Sequence, residues 1–178
     1  MPCMKNELTV ALAIGLSGSG LAAAELLYTK PAAWTAAPTT SSMRVAQFAV
    51  PRAKGEAADA ELIVYYFGGS GGSVDANIDR WIGQMEQPDG RKSSEVAKRS
   101  TRNVNGLPVT LVDVSGTYVA EMTPGSSQRH NSPNFRLRAA VVTTPNGPYF
   151  IKLTGPAATV AAAEADFERF LGSISFKS

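Results

Sequence analysis

The chain has 178 residues, a formal net charge of +2, 44% hydrophobic residues and 18% charged ones. Its single cysteine and single histidine exclude an internal disulfide and a thiolate–imidazole zinc site. The small net charge leaves no electrostatic footprint for nucleic acid, and the apolar content at this length is that of one folded domain, not of a disordered chain.

Residues 1–24 read as a Sec-type secretory signal peptide. Lys5 precedes an apolar run, Leu8 to Leu16, which is too short to span a bilayer. Gly18, Ser19 and Gly20 interrupt it, and Ala22-Ala23-Ala24 supplies small residues for cleavage after Ala24. Met4 is an alternative start to Met1. Cleavage removes Cys3, and with it any thiol chemistry. The expected location is periplasmic or secreted, with no membrane span after processing.

Residues 25–42 form a Pro/Ala/Thr-rich lead-in with Trp34 as a lone aromatic, and residues 43–178 form one globular domain. Met43 to Val50 reads as a strand ended by Pro51. Glu61 to Phe67 (ELIVYYF) is a dense β-branched and aromatic run, expected to be a central strand. Gly68 to Gly72 is a loop, and Ser73 is a good helix N-cap. Val74, Ile78, Trp81, Ile82 and Met85 then mark one apolar helical face, closed by Pro88-Asp89-Gly90.

Residues 91–104 are polar and alternate in their second half. Asn105-Gly106 is a type I′ hairpin signal leading into Val109 to Tyr118, with Gly116 as a bulge. Residues 120–134 are a long polar loop. Arg136 to Thr143 and Tyr149 to Leu153 form another hairpin, and Gly155-Pro156 breaks the chain. Val160, Ala163, Phe167, Phe170 and Leu171 mark a second amphipathic helix, and Ser173 to Phe176 is a short last strand.

Hairpin signals dominate, so the expected class is α+β: an antiparallel sheet of about six strands with two amphipathic helices packed on it. Trp34 in a Pro-rich lead-in, the strand Met43 to Val50, the helix around Asn77 to Gln84 and the closing Phe167 to Phe176 resemble the PsbP-like/Mog-like fold. The stretch FGGSGGSVDANIDRW also resembles uncharacterised exported bacterial proteins. The PsbP-like resemblance implies a sandwich and a binding module; it carries no site residue onto this chain.

Three sets of residues carry chemistry in principle. Gly68-Gly69-Ser70-Gly71-Gly72 matches G-x-S-x-G between a strand and a helix, and Asp113 and His130 follow in hydrolase order. An elbow needs its helix to start at the serine, yet the first apolar helical residue is Val74, so a turn needing glycine conformations is the plainer reading. The same loop, with Gly69, Ser70, Gly71 and Ser73 ahead of a helix N-terminus, is an anion or ligand site in outline, although Asp75 opposes an anion there. Trp34 caps the core edge or lines a groove, while Trp81, on the apolar stripe, belongs to the core. Asp75 and Asp79 read as a solvated face. Finally, Arg91, Lys92, Lys98, Arg99 and Arg102 form a basic stretch that either meets an anionic polymer or lipid surface or protects an edge strand. No metal site and no cofactor are expected.

The function read from the sequence is an exported, non-catalytic binding or accessory module. Its partner is a protein or small ligand of the cell envelope. The alternatives are a small serine hydrolase using Ser70 and His130, and an anionic-surface binder through residues 91–102.

Overall fold

A computed structural model describes residues 25–177; the expected signal peptide, residues 1–24 with Cys3, lies outside them. Six long strands build the main sheet: β3 (Arg44–Val50), β4 (Ala60–Tyr66), β6 (Lys98–Val104), β7 (Leu107–Tyr118), β8 (Ser132–Thr144) and β9 (Gly147–Pro156). Three short strands lie before, between and after them: β2 (Thr35–Ala36), β5 (Met85–Glu86) and β10 (Ser175–Lys177). The first strand, β1 (Glu25–Leu27), pairs with β10 in a separate two-stranded sheet. In the main sheet the order is β2-β3-β4-β9-β8-β7, and both β5 and β6 pair along the free edge of β7. Every pairing is antiparallel.

The class is therefore α+β, as expected, with more strands than about six. The additional ones, β1, β2 and β5, are two or three residues long, too short to carry an alternation. The closing strand joins the N-terminal segment instead of the main sheet. Gly155 and Pro156 do not break the chain; they end β9 against Arg136 and Phe135.

Local chemistry explains the connections. Asn105 and Gly106 sit at φ +49° and +85°, the two left-handed positions of a type I′ turn, so β6 returns as β7. The Ser73 side chain accepts from the Ala76 N–H and opens α1 (Val74–Ile82). That helix ends at Gly83, before the expected Pro88-Asp89-Gly90 stop, and Met85 passes into β5. The expected C-terminal helix is two, α3 (Ala157–Ala162) and α4 (Glu164–Gly172). The polar stretch after residue 91 holds a single helical turn, α2 (Ser93–Val96), before β6.

Helices cover both faces of the sheet, so its central strands bury both sides. On β4 and β9, Leu62, Val64, Ile151 and Leu153 face the α3–α4 side, packed with Phe167, Phe170 and Leu171. Each buried Phe or Leu there contributes about 1.5–3 kcal/mol. On the other side α1 lays Ile78, Trp81 and Ile82 over Val112, Val114, Ala139, Val141 and Phe150.

Candidate functional site

A nine-residue helix is roughly 13 Å long. The thirteen-residue β8 beneath it extends roughly 40 Å. So α1 covers one end of its face and leaves the other bare. The polar connection of residues 120–131 walls the bare end, tied by a Glu121–Arg129 bridge and by the His130 N–H donating to the Ala120 carbonyl. Between them lies a cleft of about 880 Å³, within the range of small-ligand sites.

Lys152 stands in this cleft on central strand β9, between Ile151 and Leu153, which face the opposite core. It is only 9% exposed. Its Nζ donates to Gln84 Oε1 at 2.5 Å and to Tyr118 Oη at 3.2 Å. It also lies 5.1 Å from the Tyr118 ring centroid. None of these partners carries a negative charge. Burial pulls the ammonium down to about 8, Glu61 opposes this, and Arg80 and Arg44 add to it. Burial likewise pushes the Tyr118 phenol up to about 12, helped by Tyr65 and Glu61 and opposed by Arg44.

Aromatic rings form the walls. Tyr118 stacks on Phe135 with centroids 6.0 Å apart and lies 5.1 Å from the His130 ring. Tyr65 lines the β4 side beneath the Arg44 guanidinium, 5.8 Å from its centroid. Thr154 Oγ1, also lining the cleft, is buried with no hydrogen-bond partner among the described residues.

The arginines sort by position. All ten lie among the described residues, and seven reach a carboxylate within 4 Å. The other three, Arg44, Arg80 and Arg129, all line the cleft. Neutral acceptors hold them: Gln47 Oε1 at 2.9 Å, Asn77 Oδ1 at 2.6 Å and the Val119 carbonyl at 3.5 Å. The acidic groups of the cleft are engaged elsewhere. Asp59 pairs with Arg52, Glu61 accepts from Gln47, and Glu121 accepts from the Gly125 N–H.

The residues singled out from the sequence fall away from the cleft, with one exception. Trp34 is 2% exposed and packs on Phe48 and Phe170 in the α3–α4 core, so it lines no groove. Gly69 lies against the β8–β9 turn, where a Cβ on Gly147 would meet its Cα at 2.5 Å. Gly71 has no room for a Cβ against the Phe67 and Phe150 rings. Ser73 is the helix cap, and the Ser70 hydroxyl donates to the Phe67 carbonyl. The glycine loop is thus a tight structural turn.

The hydrolase set does not assemble. Ser70 sits near the Thr144 end of β8 and His130 beyond its Ser132 end, roughly 40 Å of strand away. Asp113 lies on the α4 side, bound to Arg136 and Arg138. Only His130 belongs to the cleft. The basic stretch is largely neutralised: Arg91 pairs with Asp89, Arg99 with Asp75 and Asp79, and Arg102 with Glu168. Lys92 and Lys98 have no carboxylate partner among the described residues. Asp75 and Asp79 are solvent-exposed, as expected, and both reach Arg99 of β6 from α1. Sequence reasoning missed Lys152, although a lysine inside the apolar run YFIKL was a legible signal. Nothing in the sequence brings Arg44, Arg80 and Arg129 together.

No group of three or more His, Cys, Asp or Glu side chains among the described residues is arranged to hold a metal ion. No described helix is long and apolar enough to cross a membrane.

The fold and cleft together define an α+β sandwich with a ligand-sized hollow on its α1 face. No family model and no curated protein matches the sequence. Among solved structures, the chain is similar to PA94, a protein of unknown function from Pseudomonas aeruginosa. The TM-score is 0.50 at 14% identity, over 82% of this chain and 98% of that one. That likeness is one of fold. Cyanobacterial PsbP (CyanoP) from Synechocystis sp. PCC 6803 also aligns, with a TM-score of 0.48 at 11% identity over 92% of this chain and 98% of that one.

Proposed function

We propose that this chain is an exported, non-catalytic binding module and that the cleft under α1 is where it binds. The observation that carries the reading is Lys152, a buried ammonium whose partners in the cleft are neutral. Burying such a charge costs stability, and a group of that kind held on a rigid central strand is a functional investment. The aromatic walls and the volume suit a small molecule. Ser70, Asp113 and His130 stand too far apart to act together, which supports binding over serine hydrolysis. The signal-like residues 1–24 support export.

Titrating ¹⁵N-labelled protein with a small-molecule extract of the producing cell's envelope tests the reading. Amide shifts confined to Tyr65, Gln84, Tyr118 and Lys152 are expected. An extract that leaves those residues unmoved contradicts it. Export is checked by the intact mass of the secreted chain, expected to begin at Glu25; retention of residues 1–24 in the cytoplasm contradicts that part.

A further inference from the structure

We infer that the ligand of this cleft is a small organic anion carrying at least two oxyanion groups on a flat or apolar body. One group meets Lys152 at the floor, the other meets the arginines at the rim, and the body lies along Tyr65, Tyr118 and Phe135. The inference rests on the cleft being the binding site and adds the chemistry of what fills it.

The argument is one of unmet charge. Elsewhere on this chain every arginine has a carboxylate, and only the three that line the cleft have none among the described residues. A guanidinium presents a fork of five donors suited to carboxylate or phosphate. Arg44, Arg80 and Arg129 each show one side-chain hydrogen bond, to a neutral oxygen. An ammonium has three donors. Lys152 uses two, on Gln84 and Tyr118, which leaves one for a ligand. Thr154 Oγ1, unpartnered among the described residues, adds a further polar atom.

The charged and titratable groups lining the cleft around Lys152 come from each surrounding element: Arg44 of β3, Asp59 of the β3–β4 connection, Glu61 and Tyr65 of β4, Arg80 of α1, Tyr118 of β7, and Glu121, Arg129 and His130 of the walling loop. Asp59, Glu61 and Glu121 already have partners in Arg52, Gln47 and the Gly125 N–H, whereas the three arginines have no carboxylate among the described residues, so an anionic group meets unmet donors here. Lys152 holds its proton weakly, so an anion seated beside it draws a proton onto it near pH 8.

The test uses one ring bearing different charges. Terephthalate, 4-carboxyphenyl phosphate, benzoate and benzamide are titrated into the wild-type chain by calorimetry and ¹⁵N NMR. Terephthalate and the phosphate ester separate a dicarboxylate ligand from a phosphorylated one. The expected result is that at least one dianion binds in the cleft, with benzoate about tenfold weaker or more and benzamide weaker still. Lys152→Met and Arg80→Gln each lower the dianion affinity about tenfold or more while leaving the folded spectrum intact. Raising salt weakens wild-type binding, and at pH 8 the wild type takes up protons on binding while Lys152→Met does not. Benzamide binding as tightly as the dianions overturns the inference and leaves the cleft as a binding site. So does an envelope extract that shifts the cleft when neither dianion does. A cleft silent to the extract and to every compound overturns the binding reading itself.

Discussion

Replacing Lys152 with methionine should make the unliganded protein more stable at neutral pH. The side chains are similar in length, and methionine places a thioether where an ammonium is now buried among neutral partners. In the unfolded chain a lysine keeps its proton until about 10.5; in the fold Lys152 loses it from about 8. That difference opposes folding at pH 7 by about 3 kcal/mol. The substitution also removes two hydrogen bonds of about 1 kcal/mol each, but Gln84 and Tyr118 line the cleft and regain water. The net gain is about 1–3 kcal/mol, or roughly 5 °C in Tm for a chain of this size. The sign with pH follows. Between about 8 and 10.5 the unfolded wild type binds more protons than the folded one, so wild-type stability rises with pH across that window relative to the variant. Urea unfolding of both proteins at pH 7 and pH 10 measures this: the variant should lead at pH 7 and the gap should shrink by pH 10. A variant less stable than wild type at pH 7, or a gap that ignores pH, refutes the reasoning.

Other residues give sharp expectations. Gly71→Ala forces a Cβ within 2.7 Å of the Phe67 and Phe150 rings, so it should lose about 1–3 kcal/mol by thermal unfolding with the far-UV spectrum retained. An unchanged Tm would show that the loop yields. Asn105→Gly keeps the left-handed turn and removes the Nδ2 bonds to the Gly172 and Ile174 carbonyls, for a loss of about 1–2 kcal/mol; Asn105→Ala should lose more because φ is +49°. Equal losses in chemical denaturation would mean that the turn geometry contributes nothing. Ser70→Ala should leave the unfolding free energy within about 0.5 kcal/mol of wild type, and a fluorophosphonate probe should label neither protein. Labelling of wild type that the substitution abolishes would restore the serine-hydrolase alternative.

Much of the fold was legible because its signals are local. Ser73 caps α1 through its own side chain, Asn105-Gly106 makes its own turn, and the dense β-branched and aromatic run of β4 is complete within seven residues. What escaped was set by distant partners. The strand β1, three residues long, has no signal of its own and is set by its pairing with β10, whose existence was expected but whose partner was not. Trp34, which no period governs, is buried by Phe48 and Phe170 from elsewhere in the chain. The early end of α1 at Gly83 decided where the cleft lies, and the apolar stripe continuing to Met85 concealed it.

The site was harder still. Its cations come from β3, α1, β9 and the loop after β7; Lys152 stands out inside an apolar run, but the three arginines look like ordinary surface residues in sequence. The attractive motifs, the glycine-serine loop and the basic run at 91–102, were local; the first makes a turn and a helix cap, and the arginines of the second pair with carboxylates. Local patterns report secondary structure well. A binding site of this kind is a property of residues brought together across the sheet.

The most direct test is the titration of Lys152 itself, followed through its ¹³Cε shift in ¹³C-lysine-labelled protein, with Lys152→Met assigning the signal. A midpoint near 8 in the free protein, rising when terephthalate or 4-carboxyphenyl phosphate saturates the cleft, is the predicted result. A midpoint near 10.5, the ordinary value for a lysine, unmoved by either dianion, contradicts the account.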